Sequence, residues 1–290
     1  MGVAILASHS SAVRAEVAIT IARDGHLVVP AYVNGGGPFP FILDTGADSG
    51  ALYAWFADRL RLKKSSDENL SGQTGTARVP VYTLGKLSID GASIRASKVY
   101  GLANRHDQGE EAGVAGNDLM DGSFVIFDFP CKSIALRPKT TPLDRLLPLH
   151  ARWLVAGAIA DGTALTLPVE INGVRGTGLL DTGSRDSRIT PEFARLAGID
   201  PASSRFRDGA VLYGANSKAA SSRVGPIGQV RFAGFTVSGA KGRVMDLAAL
   251  RTAGVGDRAM ILGTDLMEHF RLVYDHAERR VWFGPSACKR

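Results

Sequence analysis

The chain has 290 residues, 45% hydrophobic and 21% charged, the composition of a soluble globular protein long enough for two domains or one two-lobed unit. Its formal net charge is +6, but Lys and Arg are spread along the chain and no basic run is interleaved with aromatics, so a nucleic-acid role is not expected. No apolar stretch is long enough to span a membrane, and no stable insertion is expected.

In chain order, Met1 to Leu6 is small and apolar, and Val13-Arg14-Ala15 offers the small residues that a signal peptidase reads. Residues 1–15 therefore read as a signal-peptide remnant, which favours export to the periplasm or medium over a cytoplasmic location. Residues 26–46 then read HLVVPAYVNGGGPFPFILDTG, and residues 164–183 read ALTLPVEINGVRGTGLLDTG. Each begins with an alternating apolar run, turns at Asn34-Gly35 or Asn172-Gly173, and returns through a second apolar run into Asp-Thr-Gly. Asp24-Gly25 and Asp161-Gly162 extend the repeat upstream.

Between the motifs the first half offers strands at Arg78 to Leu84, Lys86 to Ile89 and Ser93 to Tyr100. The second offers Ser221 to Val224, Gln229 to Phe232 and Phe235 to Val237. Helical pattern is confined to Ala54 to Leu62, Pro191 to Ala197 with Thr190 as N-cap, and the short segments Asp118 to Gly122 and Asp265 to Phe270. Asp118 and Asp265 are expected to cap those last two. Each half ends alike, with Gly-x-Asp-Leu-Met at Gly116 and Gly263 followed by two strands. The halves are thus 16–138 and 152–290, joined by a linker at 139–151, and Trp153 to Ala160 reads as a buried strand.

Asp44 and Asp181 close the two repeated segments. Two carboxyl groups held face to face cannot both ionise, so they share a proton; one can act as base while the other donates. Gly46 and Gly183 leave room beside the carboxyls, and Thr45 and Thr182 can hydrogen-bond across to the opposite turn.

Phe41-Ile-Leu-Asp-Thr-Gly-Ala-Asp48 is similar to the active-site segment of the retropepsins, within the pepsin and retropepsin clan of aspartic proteases. Ile261-Leu262-Gly263, and more loosely Val114-Ala115-Gly116, resemble the apolar-apolar-Gly motif that packs beneath that segment. Because one chain carries both motifs, it resembles the single-chain retropepsin-like proteins of bacteria. The resemblance implies a mostly β fold of two similar lobes with a cleft between them, and cofactor-free hydrolysis of extended peptides or unfolded segments by a single chain. It implies catalytic roles for Asp44 and Asp181. Thr45, Gly46, Thr182, Gly183 and Ser184 would support them, the last because pepsin-like enzymes use a serine there to steady the carboxylate.

The resemblance also implies that Asp48 binds substrate backbone, with Arg185 at the matching place in the second half. Hairpin flaps would carry Gly72, Gln73, Thr74 and Gly75 in one half and Tyr213, Gly214 and Ala215 in the other. Asn117 and Thr264 stand where that family often has arginine, so the half-sites differ and an asymmetric preference follows. A silent peptide-binding scaffold on the same fold is the alternative.

The six histidines show no ligand spacing, so no metal is expected, and no nucleophile elbow, phosphate loop or dinucleotide fingerprint occurs. Cys131 and Cys288 do not occupy matching places in the repeat, which leaves open whether they pair.

Overall fold

A computed structural model describes residues 16–106, 109–148, 150–159, 162–213 and 219–288. The structure is mostly β, and the duplication read from the sequence is visible in its hydrogen bonding. In the first lobe an eight-stranded sheet runs in the order Thr20–Ile21, Leu27–Val33, Gly36–Leu43, Gly113–Ala115, Ala51–Tyr53, Ala92–Leu102, Gly75–Ile89, Lys64–Gly72. In the second the order is Gly157–Ala158, Leu165–Ile171, Val174–Leu180, Ala259–Leu262, Arg188–Ile189, Phe235–Val244, Arg223–Phe232, Arg207–Asp208. The two orders correspond strand for strand. Each sheet also folds back on itself, through Val33 opposite Leu87 and Ile171 opposite Val230.

Both Asn-Gly turns have the positive φ pair of a type I′ hairpin: 50° and 85° at Asn34-Gly35, 48° and 86° at Asn172-Gly173. The Asn34 and Asn172 carboxamide oxygens accept from the amides of Lys86 and Gln229, so the hairpin is pinned to the strand that closes the sheet. Aromatic packing fills each core. Phe56 lies edge-on to Phe39 and Phe41 in one lobe, and Phe270 and Phe283 pack with Phe232 in the other.

The repeated ends of the halves leave their lobes and build a shared antiparallel sheet. Its order is Val17–Ala18, Ser133–Pro138, Ser123–Asp128, Arg271–Asp275, Arg280–Gly284, Arg152–Val155. Val125 to Asp128 of the first half pairs directly with Arg271 to Tyr274 of the second, which joins the lobes below the cleft. A Cys131–Cys288 disulfide ties the turn between Ser123–Asp128 and Ser133–Pro138 to the chain that follows Arg280–Gly284.

Several local expectations need correction. Trp153 is 62% exposed, because Arg152–Val155 pairs on one side only and forms the sheet edge instead of a buried strand. Strands expected as separate pieces are continuous, as in Gly75–Ile89, since cross-strand pairing carries the backbone past Gly85. The helices are shorter than their patterns: Ala54–Arg59, Asn117–Met120 and Thr264–Met267. Pro191–Leu196 keeps its expected cap, the Thr190 hydroxyl accepting from the Phe193 amide at 3.3 Å.

Candidate active site

Strand Gly36–Leu43 runs parallel to Gly113–Ala115, with Leu43 opposite Ala115, and Val174–Leu180 runs parallel to Ala259–Leu262, with Leu180 opposite Leu262. The next residue in each case is Asp44 or Asp181, whose amides donate to Ala115 O at 2.9 Å and Leu262 O at 3.1 Å. Beneath the loops the glycines leave no room for a side chain. A Cβ on Gly116 would meet the Ala47 carbonyl at 2.8 Å, and one on Gly263 would meet the Ser184 carbonyl at 2.9 Å. The apolar-apolar-Gly segments therefore pack directly under the Asp-Thr-Gly turns, as the resemblance implied.

The two turns interlock through their threonines. The Thr45 amide donates to the Thr182 hydroxyl at 3.1 Å, and that hydroxyl donates to Leu43 O at 2.6 Å. Reciprocally, the Thr182 amide donates to the Thr45 hydroxyl at 3.0 Å, which donates to Leu180 O at 2.8 Å. Both threonines are buried, so this ring of four bonds has no competition from water. It turns each aspartate toward the opposite glycine: a Cβ on Gly46 would lie 2.9 Å from Asp181 Cγ, and one on Gly183 would lie 2.4 Å from Asp44 Cγ.

Burial, followed by the charge of Asp181, pushes the Asp44 carboxyl well above the usual carboxylate range, against the pull of the Gly46 and Gly183 amides. Burial raises Asp181 as well, and the Arg188 guanidinium pulls it back. Asp181 Oδ1 is buried without a hydrogen-bond partner. The pair is therefore asymmetric, with the charge-bearing role easier for Asp181.

A family profile for aspartyl proteases matches residues 29–119 and 167–266, once per lobe. This chain belongs to the aspartyl protease family. The two matches together cover most of the chain and contain both Asp-Thr-Gly turns with their supporting glycines. No curated protein sequence matches the chain significantly.

Other expected aspartyl protease features fall into place unevenly. Strands Lys64–Gly72 and Gly75–Ile89 form a long hairpin with Gly72 opposite Gly75 and Gln73-Thr74 at its tip. Tyr213 lies in a two-stranded antiparallel sheet, Leu212–Tyr213 against Ala219–Ala220, and stacks on His106 of the first lobe at 3.8 Å between ring centroids. Gly214 and Ala215 lie outside the described residues. Asp48 Oδ1 accepts from the Thr163 amide at 2.7 Å and the Thr163 hydroxyl at 2.8 Å, so it anchors the turn at the start of the second lobe. Arg185 packs against Gly25, the matching turn of the first lobe. The Ser184 hydroxyl donates to Asp186 O at 3.1 Å, its own turn, and not to a dyad carboxylate.

Asp118 and Asp265 do not cap their helices at the N-cap position, which is Gly116 or Gly263. They reach back to the loops that follow the Asp-Thr-Gly turns. Asp118 accepts from the Gly50 amide at 3.2 Å, and Asp265 accepts from the Ser187 amide and hydroxyl, the latter at 2.6 Å. Burial pushes Asp265 up to about 6, against the pull of those Ser187 bonds. Asn117 is fully buried. It donates to Thr45 O at 3.1 Å and accepts from the Tyr274 hydroxyl at 2.8 Å, which ties the first turn to the shared sheet.

Sequence reasoning missed Arg188. Its only signal was an arginine in an otherwise apolar strand seven residues after Asp181. Among the described residues one grouping, Asp24, His26 and Glu111, brings potential ligand atoms within 4.8 Å of one another. The Arg105 guanidinium pairs with both carboxylates there, so it already supplies the positive charge that a cation would bring.

Proposed function

We propose that the chain is an aspartic endopeptidase that hydrolyses peptide bonds in extended segments, with Asp181 as general base and Asp44 as general acid. The observation that carries this reading is the mutual placement of each carboxyl over the other turn's glycine, locked by the Thr45–Thr182 ring. A water between the carboxyls loses a proton to Asp181 as its oxygen attacks the peptide carbonyl carbon. Asp44 gives its proton to the carbonyl oxygen, and a tetrahedral diol forms. Collapse breaks the C–N bond as Asp181 passes its proton to the leaving nitrogen and a diol hydroxyl gives one to Asp44, which restores the singly protonated pair. One chain supplies both halves, so catalysis needs no second copy. The hairpin tips over the cleft would pair with the substrate backbone as an added strand.

An oxidising compartment outside the cytoplasm belongs to this reading, and the Cys131–Cys288 bond supports it.

Cleavage of a diverse peptide library between about pH 3 and pH 8 tests the function. Wild type should cut, while Asp44→Asn and Asp181→Asn, folded by circular dichroism, should not. Peptide binding without cleavage by wild type at every pH would instead identify a binding scaffold.

A further inference from the structure

The loop that carries Asp181 runs into the two-residue strand Arg188–Ile189, held parallel to Phe235–Val244 and antiparallel to Ala259–Leu262. The matching strand of the first lobe is Ala51–Tyr53, so Arg188 and Ala51 occupy equivalent places, each seven residues beyond its aspartate. The two lobes thus carry a methyl group and a guanidinium at equivalent positions.

The arginine is only 6% exposed. Its hydrogen bond goes from Nη1 to the Gln73 carboxamide oxygen, at the tip of the first lobe's hairpin. Its Nε is buried and unpartnered. Among the described residues no carboxylate forms an ion pair with it. Asp181 acts on it from a distance, and the nearby Asp186 is engaged by Arg243, at 2.8 Å from Nε and 2.7 Å from Nη2. Arg185 and Arg243 add further positive charge around it. A guanidinium has five N–H donors. Burying one against a single neutral amide is costly, and a carboxylate is the group that matches its geometry and charge.

We propose that Arg188 is a specificity-determining residue that receives an Asp or Glu side chain of the substrate beside Asp181. This rests on the peptidase reading. The Gln73 oxygen competes for one of the same donors, so an entering carboxylate would release the hairpin tip while replacing one bond to an uncharged acceptor with two to a charged one. The equivalent place in the first lobe holds Ala51, whose methyl group offers an acid no donor. The preference is therefore confined to one substrate position.

The test is a set of matched peptides in which one Glu is walked through the positions around the scissile bond, each paired with a Gln twin. At one position wild type should favour Glu in kcat/KM by about 10- to 100-fold, the worth of a charge-assisted bond pair. Arg188→Gln should bring that ratio close to one, and Arg188→Lys should keep part of it. A ratio near one at every position in wild type overturns the proposal. So does an equal Glu advantage at all positions, which would reflect only the net positive charge of the chain. If Arg188→Gln does not fold, the wild-type positional scan decides alone. Failure of the peptidase reading looks different, because wild type then cuts no peptide. Calorimetry of the same pairs on wild type still decides in that case: tighter binding of the Glu member at one position upholds the proposal, and equal affinities throughout overturn it.

Discussion

Gly183 lies so close to Asp44 that a methyl group on it would sit 2.4 Å from the carboxyl carbon, whereas the same group on Gly46 would sit 2.9 Å from the carboxyl carbon of Asp181. Both substitutions should displace a carboxyl of the proposed dyad, and a displacement of about 1 Å costs about 100-fold in rate. Gly183→Ala should therefore lose at least that much kcat/KM, and Gly46→Ala should lose less. Peptide kinetics on the two purified variants give the comparison. Equal losses would mean that the two turns relax alike and that the asymmetry of the dyad is unimportant.

Thr182→Val removes a hydroxyl that both donates to Leu43 O and accepts from the Thr45 amide. Valine keeps the shape but leaves a buried carbonyl and a buried N–H unpaired, at a cost of about 2–4 kcal/mol. Thr182→Ser should recover most of it. Urea unfolding should show a lower midpoint for valine at an unchanged slope, and a midpoint equal to wild type would show that the ring does not hold the lobes together.

Much of this architecture is legible in the sequence, because it is local. The Asn-Gly turns, the alternating runs around them and the Asp-Thr-Gly ends all lie within about 20 residues, and duplication states each of them twice. The placement of Asp44, Asp181, Gly116 and Gly263 follows from that repetition. What the sequence hides are contacts between residues far apart in it. Arg188 meets Gln73 across 115 residues, and Cys131 meets Cys288 across 157. Asp118 and Asp265 read as helix caps, since their turn is visible and the loop that folds back over them is not. Trp153 reads as buried because an apolar run carries no sign that its strand ends a sheet.

The Cys131–Cys288 disulfide closes a loop that contains the whole second lobe. Confining so long a segment in the unfolded chain stabilises the fold by about 2–5 kcal/mol. Cys131→Ser and Cys288→Ser should each lower the melting temperature by the same amount as reductant does to wild type, and reductant should leave the variants unchanged. Thiol titration of unreduced protein in denaturant should find no free cysteine. Two titratable thiols together with full stability would remove the support that the disulfide lends to an oxidising compartment.

The dyad should also leave a mark on stability against pH. Folding raises the Asp44 carboxyl well above its unfolded value of 3.8, through burial and the charge of Asp181. Between those two values the folded protein binds more protons than the unfolded chain, so stability falls as pH rises. The contribution is fully present below about pH 3.8 and is lost as pH climbs through the folded value. Asp44→Asn cannot ionise and escapes that loss. It should melt higher than wild type near neutral pH, and the difference should vanish in acid. Asp181→Asn should gain less, because it also takes from Arg188 the negative charge that offsets its burial. Melting curves of the three proteins from acid to neutral pH give the comparison. If Asp44→Asn is no more stable than wild type at neutral pH, the two carboxyls are not coupled as the geometry requires.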